Sequence, residues 1–262
     1  MSESSTPNQP ATTYQVVRGA AWITLDRPAA RNALSTQLVN ELYDHINAAN
    51  ADSTVRSLVI TGTDPAFCSG ADLKSPPGQL MAGRTITYPD VLNALLESPK
   101  PVIAAVNGAA FAGGLGLVGA ADIVVCVEEA LFSFSEVRIG VIPAVISVVC
   151  LPKLGTHHGM RLFLTGDRFT GTDAVTMGLA HRCVPKAELQ DAVQREIDMI
   201  NLGGPTAVSE SKRLVREVSK RSVSEGFELT GTWSAEMFNS AEGQEGMAAF
   251  REKRKPNWVT ND

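Results

Sequence analysis

The residues Val106-Asn107-Gly108-Ala109-Ala110-Phe111-Ala112-Gly113-Gly114-Leu115-Gly116 close the apolar run 101–108 on a cluster of glycines. Ala66-Phe67-Cys68-Ser69-Gly70-Ala71-Asp72-Leu73-Lys74 comes in the same way after the apolar run 57–62. Each reads as a buried strand that delivers the chain into a glycine-marked turn. Glycine adopts positive φ and lets the backbone approach a ligand closely, so such turns aim peptide N–H groups at a single point. Two converging N–H groups make an oxyanion hole, where each donor contributes roughly 3 kcal/mol or more toward a developing carbonyl anion in a dry site. The candidate pair is the N–H of Ala71 with that of Gly113 or Gly114, the latter two opening a helix whose dipole also favours negative charge. The same turns also fit ordinary strand-to-helix connections, so the neighbouring residues must decide.

Outward from these turns, residues 14–18 and 21–25 flank Gly19 as an opening hairpin that ends at Asp26-Arg27-Pro28. A helix capped by Ser35 or Thr36 then brings Leu38, Leu42, Ile46 and Ala49 onto one face. Residues 88–96 read as helix, and Pro99 and Pro101 stop it before the strand 102–106. Strands follow at 122–127 and 131–134. The order strand, glycine turn, helix thus occurs twice, which suggests a repeated ββα unit. From Pro152 onward the chain reads as mostly helical, over 156–164, 172–177, 186–202, 205–220, 224–239 and 243–253.

Composition narrows the function classes. Hydrophobic residues make up 44% of the 262 and charged ones 19%, the balance of a soluble globular protein with one main core. A net charge of −5 argues against a broad nucleic-acid interface. The apolar stretch 141–151 is broken by Pro143 and is too short to span a bilayer. Residues 1–12 lack a basic start and an apolar run, so they read as a disordered tail and not a signal peptide. Cys68, Cys126, Cys150 and Cys183 show neither C-x-x-C nor zinc-ligand spacing, so reduced thiols, no metal and a cytoplasmic protein are the expectation.

Glu136 lies in Phe132-Ser133-Phe134-Ser135-Glu136-Val137-Arg138-Ile139-Gly140, a carboxylate among apolar residues. Burial there would raise its pKa toward that of a general base, although an ion pair with Arg138 fits equally. Lys74 and the tract Lys253-Arg254-Lys255 are candidate partners for phosphates in an otherwise acidic chain. A rival reading is Gly114-Leu115-Gly116-Leu117-Val118-Gly119, a G-x-G-x-x-G with Glu136 downstream as a ribose ligand, which would mean a dinucleotide oxidoreductase. Cys68 as a nucleophile lacks a histidine partner, and His157-His158 reads as exposed structure.

Several separate motifs now stand in order: Leu25-Asp26-Arg27-Pro28 with Asn32-Ala33-Leu34, residues 66–74, Val106-Asn107-Gly108 with Ala112-Gly113-Gly114, and Gly246-Met247 with Phe250 and Lys253. In these the chain resembles the enoyl-CoA hydratase/isomerase (crotonase) family over nearly its whole length after the first dozen residues. The resemblance implies an α/β fold: a spiral of repeated ββα units over 13–200 and a helical region over 201–262 that mediates trimerisation into a homotrimer or hexamer. It implies an acyl-CoA thioester as ligand, with no cofactor beyond the CoA of the substrate. The thioester oxygen would be held by the N–H groups of Ala71 and Gly113. The CoA would run past Ala71, Asp72, Leu73 and Lys74 and beside Gly114, with Phe250 and Lys253 near its nucleotide end.

One departure matters. Family hydratases of the best-understood type use two glutamates, and here the first position is Gly116, so only Glu136 matches. The stretch Ser135-Glu136-Val137-Arg138-Ile139-Gly140-Val141-Ile142-Pro143-Ala144-Val145-Ile146-Ser147, together with Leu115-Gly116-Leu117, resembles a subgroup assigned to hydratases of branched, methylglutaconyl-CoA-like substrates. The expectation is therefore hydration of an enoyl-CoA. The alternatives are Δ3,Δ2-enoyl-CoA isomerisation and a non-catalytic acyl-CoA binder.

Overall fold

The computed structural model describes residues 9–74 and 80–259. Strands β1 (Thr12–Val17) and β2 (Ala20–Leu25) form the expected hairpin, Thr12 opposite Leu25 and Val17 opposite Ala20. Arg18 and Gly19 both take positive φ, as a two-residue turn matched to strand twist requires. The hairpin starts within the expected tail, because the Ala11 and Thr12 amides both donate to Glu41. Residues 1–8 of that tail lie outside the described residues. Helix α1 (Thr36–Ala51) is capped by the Ser35 hydroxyl, which accepts from the Leu38 amide, and buries Leu38, Leu42, Ile46 and Ala49.

Three similar units follow. The first is β3 (Ser57–Gly62), β4 (Ala66–Cys68) and α2 (Tyr88–Glu97); the second is β5 (Val102–Val106), β6 (Ala109–Phe111) and α3 (Gly113–Ala120). The third is β7 (Ile123–Val127), β8 (Leu131–Ser133) and α4 (Ala144–Thr165). In each unit the longer strand joins one sheet and the three-residue strand joins another. The chain then adds β9 (Arg168–Thr170), α5 (Gly171–Thr176), β10 (Arg182–Val184), α6 (Leu189–Leu202), α7 (Pro205–Val218), α8 (Val223–Asn239) and α9 (Ala241–Glu252).

The larger sheet runs β1-β2-β3-β5-β7-β10 and is parallel from β2 onward. Its inner strands β3, β5 and β7 are buried and rich in Val and Ile, as parallel strands covered on both faces must be. The smaller sheet runs β4-β6-β8-β9, parallel except for β9. Helix α3 is apolar all round and buried from Gly114 to Ala120, so it occupies the centre with α2 and α4 packed on it.

Two sequence expectations change. The glycine turns do not follow β3 and β5 directly, since the short β4 and β6 intervene. The apolar stretch from residue 144 is helical well before residue 156, with a break at Gly155, where φ is 66° and ψ 170°. Its dense apolar residues carry no clear helical period, and Pro152 inside it is a residue that disfavours helix interiors. Among the described residues no helix is long and apolar enough to cross a membrane.

Candidate active site

The small sheet explains why residues distant in sequence meet. Strands β4, β6 and β8 are parallel neighbours, Ala66 beside Ala109, Cys68 beside Ala110 and Phe111 beside Ser133. Their C-terminal ends therefore open on one edge, where α/β sheets place ligands. The chain leaves β4 into Ser69-Gly70-Ala71-Asp72, β6 into Ala112-Gly113, and β8 into Phe134-Ser135-Glu136.

The first turn is braced by residues 27–34. Leu34 N–H donates to Gly70 O at 2.8 Å, Asp72 N–H to Leu34 O at 3.2 Å and Ser69 N–H to Arg31 O at 3.0 Å. Asn32, fully buried at positive φ, accepts from the Arg27 amide and donates to Thr63 O and Ala66 O. Arg27 reaches Ala33 O at 2.6 Å and the Asp72 carboxylate at 2.9 Å. Burial pushes the Asp72 carboxyl up, but Arg27 and the Lys74 amide outweigh it and hold the group below the usual carboxylate range. Asp72 is thereby committed to holding the turn. Arg27→Ala is expected to cost about 1–3 kcal/mol in stability through the buried partner it strands, and to raise KM for an acyl-CoA. Thermal melts and steady-state kinetics check both.

The second turn carries strain. Ala112 has φ 46° and ψ −120°, a conformation L-residues avoid, and such strain costs about 1–3 kcal/mol and survives only where surroundings enforce it. Ala112 N–H donates to Ser133 O at 3.0 Å, tying this turn to β8. Gly113 is the first residue of α3, so its N–H has no acceptor within the helix and sits at the positive end of the dipole. Among the described residues no protein acceptor is found for the Ala71 N–H either. The two turns touch: a Cβ on Gly70 would lie 3.2 Å from Gly113 N, and one on Gly113 would lie 3.6 Å from Ala71 N. The Ala71 and Gly113 amides are thus brought to neighbouring positions. Gly114, by contrast, is buried against Cys68 O.

Glu136 lies in a single 3-10 turn, Ser135–Ile139, after β8. Burial raises its pKa above the ordinary 4.5, the backbone of its own turn opposing that in part. Among the described residues its buried Oε2 has no hydrogen-bond partner, and the ion pair with Arg138 is not formed. Burial raises the pKa of Tyr88 on α2 and of Cys150 on α4, and the Glu136 charge adds to both; each packs against α3, Tyr88 donating to Gly113 O and Cys150 Sγ lying 3.3 Å from Leu115 O. A half-buried carboxylate that follows β8, and two amides that follow the neighbouring strands β4 and β6, are the kinds of group that proton transfer and oxyanion stabilisation require.

Other candidates divide. Leu73 and Lys74 are exposed beside the first turn, and residues 75–79, which follow them, lie outside the described residues. Phe250 and Lys253 are exposed on or just after α9, and no hydrogen bond or ion pair joins them to residues 71–74. Arg254 of the basic tract is locked to Glu245 and Glu252. Cys68 is buried and its thiol is pushed up to about 12, which leaves it inert at neutral pH. Gly114, Gly116 and Gly119 lie inside α3, where each admits a neighbour closely, so they form no phosphate loop between a strand and a helix. The dinucleotide reading loses its motif. No local pattern marks the roles of Tyr88, Asn32 and Arg27, because Gly113 O, Thr63 O and Asp72 lie 25, 31 and 45 positions from them.

The sequence profile of the family Enoyl-CoA hydratase/isomerase matches residues 16–261. The chain is 34% identical over 248 residues to a carnitinyl-CoA dehydratase of Proteus mirabilis, covering 90% of this chain and 93% of that one. It is 34% identical over 244 residues to enoyl-CoA hydratase EchA19 of Mycobacterium tuberculosis, with 90% and 91% covered. The crystal structure of an enoyl-CoA hydratase of Mycobacterium smegmatis superimposes with a TM-score of 0.88 at 29% identity, over 96% of this chain and all of that one. The spiral of ββα units with its C-terminal helices is the crotonase fold, and this chain is an enzyme belonging to the enoyl-CoA hydratase/isomerase family.

Proposed function

We propose that the protein is an enoyl-CoA hydratase that works with one carboxylate. The unpartnered buried oxygen of Glu136, on the same sheet edge as the Ala71 and Gly113 amides, is the observation that carries this reading. Glu136 accepts a proton from water as the water oxygen attacks C3 of the enoyl thioester. The π electrons move to the thioester oxygen, which the two amides hold as an enolate. Glu136 then returns its proton to C2, so one water is added and the carboxylate is regenerated. Asp72, Leu73, Lys74 and Gly114 border the path of the CoA, and Phe250 and Lys253 take its nucleotide end. No group beyond the CoA of the substrate is required, and the resemblance around residues 135–143 favours a branched, methylglutaconyl-CoA-like acyl chain.

Gly116 supports a second reading, since it brings no side chain to the turn after Gly113. A single carboxylate is enough for Δ3,Δ2-enoyl-CoA isomerisation, in which Glu136 takes a proton from C2 and returns one to C4. Purified protein given crotonyl-CoA and, separately, a 3-enoyl-CoA decides between the two, and tight binding of both without turnover would leave an acyl-CoA binder. For either reaction the base must be ionised, so kcat/KM falls on the acid side with a midpoint above 4.5, following the raised pKa of Glu136. A midpoint at or below that value contradicts the assignment.

A homotrimer or hexamer is also proposed. Val223, Phe227 and Phe238 on α8 leave large apolar side chains at the surface, which a second copy would cover. A monomer by sedimentation would exclude it.

A further inference from the structure

Gly116 lies in the first turns of α3, and the space a side chain would fill there is taken. A Cβ on Gly116 would stand 2.5 Å from the Tyr88 hydroxyl oxygen, 3.3 Å from its ring and 2.7 Å from the Ile146 side chain. The tyrosine comes from α2, whose start is fixed by a reciprocal cap between Thr87 and Asp90, so the ring is delivered from a rigid origin. Its hydroxyl donates a hydrogen bond to Gly113 O. That carbonyl belongs to the residue whose N–H is one of the two candidate oxyanion donors, and it follows directly on Ala112, the strained residue of the turn.

We propose that Tyr88 is a positioning residue for the oxyanion hole: its hydroxyl, admitted by the missing side chain at Gly116, clamps the first turn of α3 and holds the Gly113 N–H in donor geometry. The inference rests on the proposed role of the Ala71 and Gly113 amides and adds to it the group that keeps one of them in place. A strained backbone persists only where its neighbours over-determine it. On one side of Ala112 the bond to Ser133 O supplies that constraint, and on the other the Tyr88 clamp does. Burial, above all, keeps the phenol protonated, its pKa well above 10.0, so it remains a donor throughout the working pH range.

Tyr88→Phe in the full chain removes the hydroxyl and keeps the ring, so the fold is preserved. With whichever enoyl-CoA isomer the wild type turns over, kcat is expected to fall about 10-fold, a part of the loss caused by deleting a donor outright. KM should stay within about two-fold and the acid midpoint should not move, because the effect falls on the transition state and not on the base. Gly116→Ala drives a methyl group against the hydroxyl, so it is expected to lower kcat more in the wild type than in the Tyr88→Phe background. A kcat for Tyr88→Phe within two-fold of wild type, or an equal cost of Gly116→Ala in both backgrounds, overturns the inference. Glu136→Gln measured alongside separates the failures: an active Glu136→Gln removes the underlying catalytic reading, whereas an inactive one beside an unaffected Tyr88→Phe removes only the clamp.

Discussion

Glu136→Gln is expected to lower kcat for the enoyl-CoA by about 10²-fold or more, the usual contribution of a general acid–base group, while leaving the protein at least as stable near neutral pH. The two effects have one cause. Burial raises the pKa of Glu136 above 4.5, so between 4.5 and the raised value the folded state holds more protons at this group than the unfolded state. Stability therefore falls as pH rises through that window and stays lowered above it. An ionised carboxylate with an unpartnered oxygen is a cost the fold carries at neutrality, and the amide removes the charge without changing the shape. Melting followed by circular dichroism at neutral pH, with kcat on the same samples, checks both. A variant that loses activity together with stability points to a structural carboxylate, and one that keeps its rate is not missing its base.

Most long elements were legible because their signals are local, whereas the first half of α4 was not. The Ser35 cap and the spacing of Leu38, Leu42 and Ile46 specify α1, and the Val- and Ile-rich runs specify β3, β5 and β7. Of the three-residue strands β8 was read but β4 and β6 were not, because Ala66–Cys68 and Ala109–Phe111 are too short for alternation to register. Those short strands nevertheless assemble the site, since their parallel register sets the two glycine turns side by side. The residues of the turns were therefore found from composition and resemblance, while the reason they meet came from topology. Asn32 and Tyr88 illustrate the remaining gap: an asparagine serving Thr63 O and Ala66 O, and a tyrosine serving Gly113 O, act through partners that no local pattern names. Gly116 carried half of the Tyr88 signal, as a glycine inside a helix needs a packing reason.

Gly70→Ala is expected to abolish most of the activity for a reason separable from backbone strain. Gly70 has φ +93°, where any side chain is disfavoured, and its Cβ would lie 2.9 Å from Ala112 Cβ, 3.0 Å from Phe111 O and 3.2 Å from Gly113 N. All three belong to the opposite turn and none is the free end of a flexible side chain, so relief comes only by driving the two turns apart. The loss of one oxyanion donor costs about 10²–10³ in kcat, and a wedge between Ala71 and Gly113 misplaces both. Gly83 supplies the control, with φ +75° and nothing within 4 Å of an added Cβ. Gly83→Ala meets a comparable conformational penalty, of order 1–2 kcal/mol, without touching the turns. Both variants should melt earlier than wild type, but only Gly70→Ala should lose kcat. Equal kcat values for the two would mean that the Gly70 turn holds no part of the oxyanion site.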